Sequence, residues 1–348
     1  MHRAPRRCEH RAMRSAAGRT EVLITVDVEF SIAGALTHPG IHAPLWDEPV
    51  HGRVDGRSEG LGFVLETLAA AGLPATFFVE ALNHRYFGDA PMASVCRQLA
   101  AAGQDIQLHL HPVWTCFERG HRTGGVVDDA CAGRGAGAME ALLREGMESF
   151  ARWGVAPPVA LRTGGLSVDR AVHAAMRAVG MRLSSSVGVA IAMPREAGLR
   201  IATGRRRFGD VIEAPVTCFA DWRLPGRRHL RPLQVSACSA REAIAVLDAA
   251  RRDGIGTLVL LTHPFEYVKA DGFRYARMRP NRVNQHRLRA ICAHVAARPG
   301  EFDAIDFATA AARWPALPDE PSRDLRGSAA LALLRMGENA LNDRVWAM

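Results

Sequence analysis

Asp105-Ile-Gln-Leu-His-Leu-His-Pro-Val-Trp114 is the stretch on which the reading of this chain turns. Its apolar and polar residues alternate, so it reads as a strand over Asp105–His111, with Pro112 ending the ladder. Residues i and i+2 of a strand point to the same face, so His109 and His111 leave the strand end together. Two imidazoles on one side of a strand end supply two thirds of a catalytic zinc site, which takes three protein ligands and keeps one position open. A third ligand is available from Thr25-Val-Asp-Val-Glu29, where Asp27 and Glu29 also share a face.

Outward from this stretch, apolar β-branched runs alternate with amphipathic ones. Strands are expected at 21–30, 75–80, 105–111, 159–164, 181–187, 211–217 and 257–263. Helices are expected at 59–71, 92–102, 139–153, 168–179, 240–252 and 283–297, several ending at a glycine such as Gly72 or Gly154. Alternating βα units predict an α/β fold with a parallel sheet, whose chemistry gathers at the carboxyl ends of the strands. Asp27, Glu29, His109, His111, Arg162 and His263 all fall at such ends. Ser31–Arg57 and Thr115–Gly137 read as insertions on the same face, where loops shape binding.

Composition narrows the classes. A chain of 348 residues with 48% hydrophobic content can bury a large core. Its seven cysteines are scattered, odd in number and form no C-x-x-C, which argues against a disulfide framework or a thiolate metal site. The net charge is +8, and Lys269 is the only lysine among 44 basic residues. The arginines are spread out rather than clustered with aromatics, so no nucleic-acid partner is expected. No apolar run reaches the roughly 20 residues of a membrane span. Residues 1–20 are basic and lack an apolar h-region, which predicts a disordered, dispensable arm and a cytoplasmic protein. Residues 21–314 form the expected barrel, and residues 315–348 a linker and tail with a weak helix pattern at 328–340.

Five segments in this order resemble the polysaccharide deacetylase family (the NodB-homology domain, carbohydrate esterase family 4) across roughly residues 21–313. They are Thr25-Val-Asp-Val-Glu29, Ala75-Thr-Phe-Phe-Val79, Gly103-Gln-Asp-Ile-Gln-Leu-His-Leu-His111, Leu161-Arg-Thr-Gly-Gly165 and Leu260-Leu-Thr-His-Pro264. The resemblance implies an irregular (β/α)7 barrel that hydrolyses an acetyl group from an N- or O-acetylated sugar with one divalent ion. Carried over by motif, Asp27 matches the general base, Arg162 the arginine that orients it, His263 the general acid, His109 a metal ligand, and Gly165 the backbone N–H of the oxyanion hole.

Three positions depart from the family pattern. Val28 stands where a second aspartate is usual; some members use a D-x-D spacing, which Asp27-x-Glu29 fits with a glutamate, so the carboxylate ligand is Glu29 or Asp27. Val113 stands where a second histidine is usual, so His111 substitutes. Ser184 stands at an often acidic position. Two nitrogens and one oxygen suit zinc first, with nickel, cobalt or iron as alternates. The Gln-Leu-His-Leu-His-Pro wording resembles members linked to surface-polysaccharide synthesis. Two other readings remain open at this level: an amidase of the same fold acting on a non-sugar amide, and a catalytically silent binding protein in polysaccharide assembly. Trp114 is a candidate platform for a sugar ring. Glu80, His84, Glu213 and Glu266 read as wall, cap or surface.

Overall fold

A computed structural model describes residues 18–124, 127–224 and 227–347; most of the basic arm lies outside the described residues. Nine strands form one curled sheet: β1 (Thr20–Val28), β2 (Thr76–Glu80), β3 (Asp105–Leu110), β4 (Ala160–Thr163), β5 (Leu183–Ser184), β6 (Arg206–Phe208), β7 (Val211–Glu213), β8 (Thr257–Thr262) and β9 (Phe302–Ala304). The order is β6-β7-β5-β4-β3-β2-β1-β8, with β9 also on β1. From β7 through to β8 every pairing is parallel, and these are the seven expected strands. Only two residues of the expected 181–187 strand keep ladder geometry. β7 and β8 do not pair directly. Thr217 N–H donates to the Val259 carbonyl at 3.0 Å, and the Leu233–Val235 segment exchanges backbone bonds with Leu261. The result is the irregular barrel.

The longer helices are α1 (Leu61–Ala71), α2 (Ala90–Ala101), α3 (Ala136–Trp153), α4 (Arg170–Ala178), α5 (Ala240–Arg252), α6 (Arg282–Ala296), α7 (Phe307–Arg313) and α8 (Ala329–Ala347). The first six lie within two or three residues of their predicted bounds. α8 extends the weak pattern expected at 328–340. Among the described residues, no helix is long and apolar enough to cross a membrane.

The two-residue period of the strands explains where the chemistry sits. In β1, Val22, Ile24 and Val26 face the main core outside the sheet, while Leu23 joins a separate inner cluster with Phe78, Ala160, Leu183, Ile212 and Val259. Phe307 and Trp314 belong to that inner cluster and close its lower end. Continuing up the inner column from Leu23, the same face carries Thr25, Asp27 and then Glu29. On β3 it carries Gln107, His109 and His111; on β4, Ala160 and Arg162; on β8, Val259, Leu261 and His263. The barrel is therefore apolar at the bottom and polar at the carboxyl mouth.

Candidate active site

Two groups of side chains meet at this mouth. The first is Glu29, His109 and His111, whose ligand-type atoms all lie within 4.8 Å of one another. His111 Nε2 is 2.6 Å from Glu29 Oε2, and His109 Nε2 is 3.6 Å from the same oxygen. The outer nitrogens are anchored. His109 Nδ1 donates to the Arg162 carbonyl at 2.9 Å, and His111 Nδ1 meets Asp129 Oδ2 at 2.6 Å. Both Nε2 atoms are thereby turned toward Glu29. A carboxylate or carbonyl behind each imidazole is the usual support of a histidine ligand. Ligands about 2.1 Å from a tetrahedral ion lie about 3.4 Å apart, so an ion needs only a small outward movement of Glu29 from His111. The donor set of two nitrogens and one oxygen fits a divalent ion.

Charge distribution supports the same reading. Burial pushes the Glu29 carboxyl up, but the charge of His111 and hydrogen bonds from both histidines outweigh it and hold it well below the usual carboxylate range. Burial likewise pulls His111 down, but Glu29 and Asp129, one at each ring nitrogen, hold it well above the usual imidazole range.

The second group is Asp27, Arg162 and His263. Arg162 is fully buried, and every arm of its guanidinium is used: Nε on the Ser185 carbonyl, Nη2 on Ser185 Oγ, and Nη1 on Thr25 Oγ1 at 2.8 Å and Asp27 Oδ1 at 2.7 Å. The Arg162 plane also covers the Phe78 ring at 4.4 Å. Asp27 Oδ2 is 3.9 Å from His263 Nε2. His263 Nδ1 is held by Glu266 Oε1 at 2.9 Å, and Glu266 is itself fixed by Gln234 and Thr262. Burial lowers the His263 imidazolium, but the Glu266 hydrogen bond and charge, with Asp27 and Glu29, push it up to about 9.

The turn after β4 completes the mouth. A Cβ on Gly164 would lie 2.5 Å from His111 Nδ1, so this position admits the imidazole only as glycine. Gly165 follows at φ 56° with nothing within 4 Å of a Cβ, and Leu166 is also left-handed at φ 54°.

All seven predicted site residues, with Gly165 on its turn, thus come to one barrel mouth, although Asp27 and Glu29 serve different groups. The structure also brings in Asp129, which the sequence reading passed over, and gives Glu80 and Glu266, read as wall, cap or surface, places beside the two groups. Asp129 comes from the Gly-rich insertion, 18 residues beyond His111. Glu80 is fully buried and accepts from the backbone N–H groups of Leu82, Asn83 and His111; burial pushes it up to about 8 despite His111 nearby. Glu266 stands three residues after His263, and that short spacing was the one signal available. Trp114 is corrected: it is only 1% exposed, packed against Phe87 and Phe117, and is core rather than a sugar platform. His84 and Glu213 do not join either group. His84 lies by Glu145, and Glu213 caps the backbone of Ser186 and Val187.

No protein-family model and no curated protein matches the chain. Solved structures do. A Mycobacterium smegmatis protein described as a candidate polysaccharide deacetylase aligns over 88% of this chain and 94% of its own, with TM-score 0.53 and 19% identity. More distant are a family 4 carbohydrate esterase from Streptomyces lividans in complex with acetate (TM-score 0.41, 12% identity, 82% of this chain and 91% of that one) and a family 4 acetyl xylan esterase from Clostridium thermocellum with a cobalt ion (TM-score 0.41, 10% identity, 83% and 89%). The chain has the fold of the polysaccharide deacetylases, in the irregular (β/α)7 form.

Proposed function

We propose that the chain is a divergent polysaccharide deacetylase: a metal-dependent hydrolase that removes an acetyl group from an N- or O-acetylated sugar or glycan intermediate. The observation that carries this reading is the convergence, at one mouth, of a Glu29–His109–His111 set within 4.8 Å and an Asp27–Arg162 pair with His263 3.9 Å from the free carboxylate oxygen. A divalent ion on the first set, zinc as first choice, would lower the pKa of a water and polarise the acyl oxygen.

The chain's own groups account for the proton movements of amide hydrolysis. Arg162 occupies Oδ1 of Asp27 and leaves Oδ2 to accept a proton from the attacking water. The water oxygen bonds to the acetyl carbon, and the backbone N–H of Gly165 is the donor for the developing oxyanion. His263, held protonated by Glu266, gives its Nε2 proton to the sugar nitrogen as the C–N bond breaks. The products are an amine and acetate. Positioned acids and bases of this kind contribute about 10²–10⁴ each in rate.

The test is acetate release from a panel of acetylated sugars, with elemental analysis of the purified protein. Release together with about one ion per chain supports the reading. A protein that takes up no metal on titration and releases no acetate overturns it.

A further inference from the structure

We propose that the cavity between α4 and β6 is a binding site for a phosphate group, separate from the mouth, in which Arg170, Arg177 and Arg206 take the phosphate oxygens. None of the residues lining this cavity belongs to either group at the mouth, and the site stands independently of the deacetylase reading.

The cavity measures about 460 Å³, and its lining holds four arginines and a histidine but no carboxylate. Two of the arginines come from the Arg205-Arg206-Arg207 run. Arg205 is spent on Thr257 Oγ1, at 2.7 Å, and on Glu320, and Arg207 donates to the carbonyls of Trp314, Pro315 and Leu317. Strand alternation turns Arg206 to the opposite face, with Phe208, and its guanidinium carbon stands 5.6 Å from the centre of that ring. On α4, Arg170, His173 and Arg177 fall at i, i+3 and i+7, on one face of the helix. Their charged ends are placed by two glycines of the lining. A Cβ on Gly209 would meet Arg177 Nη1 at 3.3 Å, and one on Gly198 would meet Arg170 Nη2 at 3.3 Å. Three guanidinium groups therefore stand against the walls of one cavity.

These charges are only partly offset. Glu196 Oε2 lies 2.9 Å from Arg170 Nε, but Arg177 and Arg206 have no carboxylate partner among the described residues. Like charges gathered at one cavity repel, and a bound anion relieves the repulsion. The planar guanidinium fork matches phosphate oxygens, and a phosphate monoester brings about two negative charges at pH 7. His173 supplies an independent sign. It is 1% exposed, and its ring stacks on Phe208 with centroids 5.3 Å apart. Its Nε2 lies 3.2 Å from Glu213 Oε2, while its buried Nδ1 has no hydrogen-bond partner among the described residues. A buried polar atom left without a partner is costly, and Nδ1 is the ring atom that a ligand in this cavity would satisfy.

The experiment titrates inorganic phosphate into the purified full chain by isothermal calorimetry. Wild type is compared with Arg177→Gln, Arg206→Gln and, as a control for net charge, Arg144→Gln at an exposed position of α3. The wild type should bind about one phosphate per chain with a Kd of about 1 mM or tighter. Losing one charge-assisted bond should weaken binding about tenfold in each cavity variant and leave Arg144→Gln unchanged. In the wild type, phosphate should also protect Arg177 and Arg206, but not Arg144, from phenylglyoxal, which reads the site without any substitution. Absence of saturable binding up to about 10 mM overturns the proposal. So does a Kd that both cavity variants keep, which would place the phosphate elsewhere, such as on a metal ion in the mouth. Equal weakening by Arg144→Gln reduces the effect to net charge and overturns it as well. The deacetylase reading stands through all three of these results.

Discussion

Arg162 at the mouth and Arg335 on α8 are both buried arginines clamped to carboxylates, yet they leave different things behind. Arg335 donates to Glu242 Oε2 at 2.8 Å and Asp221 Oδ2 at 3.0 Å; Asp221 also takes Arg231 on Oδ2 and His229 on Oδ1. Both oxygens of Asp221 are consumed, and the cluster fastens α8 and α5 to the hairpin of Cys218–Leu224 and Arg227–Pro232. Arg162 instead fills one oxygen of Asp27 and spends its other donors on Thr25 and Ser185. Asp27 Oδ2 is left facing His263. A buried ion pair can serve chemistry when one carboxylate oxygen is left without a hydrogen bond, and is a clasp when none is.

Breaking each cluster should separate the two roles. Asp27→Asn keeps an acceptor for Arg162 but removes the base, and kcat should fall by about 10²–10⁴ with metal retained. Asp221→Ala leaves Arg231 and Arg335 without their shared carboxylate. It should cost roughly 3–5 kcal/mol in urea unfolding, with kcat/KM unchanged for the folded protein. A catalytic loss from Asp221→Ala exceeding that from Asp27→Asn would erase the distinction.

The two glycines after β4 make a narrower version of the same contrast. Gly164→Ala drives a methyl into the His111 ring, prising it from Asp129, and should weaken metal binding about 10–100-fold in chelator competition. Gly165→Ala meets nothing but must hold φ 56°, and should cost about 1 kcal/mol of stability with metal affinity intact. Equal metal affinity in the two variants would show that Gly164 does not seat His111.

The smallest effect concerns His263. Its folded pKa of about 9 lies above the ordinary imidazole value of 6.5. The stability it contributes is fully present below about 6.5 and is lost as pH rises through about 9. Glu266→Gln removes the hydrogen-bonded charge that raises it, while burial remains. In an NMR titration of metal-free protein, the ring should then titrate well below the wild-type value. An unmoved titration would remove Glu266 from the acid's support.

Much of this was legible in the chain because strand alternation is a short-range signal. His109 and His111, or Asp27 and Glu29, share a face by spacing alone, and each parallel strand buried on both sides reads as an apolar run. Asp129 was not legible, since the path of a Gly-rich loop decides whether its carboxylate reaches His111. Arg335 was equally hidden: it is one arginine among many, and only the docking of α8 buries it. Trp114 misled because proximity to a strand end says nothing about which way a side chain turns after Pro112. The 181–187 run was read as a full strand, but its later serines leave the ladder to hold Arg162 and the β4 backbone.

The central claim is that the mouth divides into a metal-holding half and a proton-moving half. It is tested by measuring metal-to-protein ratio and acetate release on His109→Ala and His263→Ala. The account predicts that His109→Ala purifies without metal, whereas His263→Ala keeps about one ion per chain and loses about 10²–10⁴ in kcat. A metal-free His263→Ala would make His263 a ligand, and a fully active one would remove it from the reaction; either result contradicts the division drawn here.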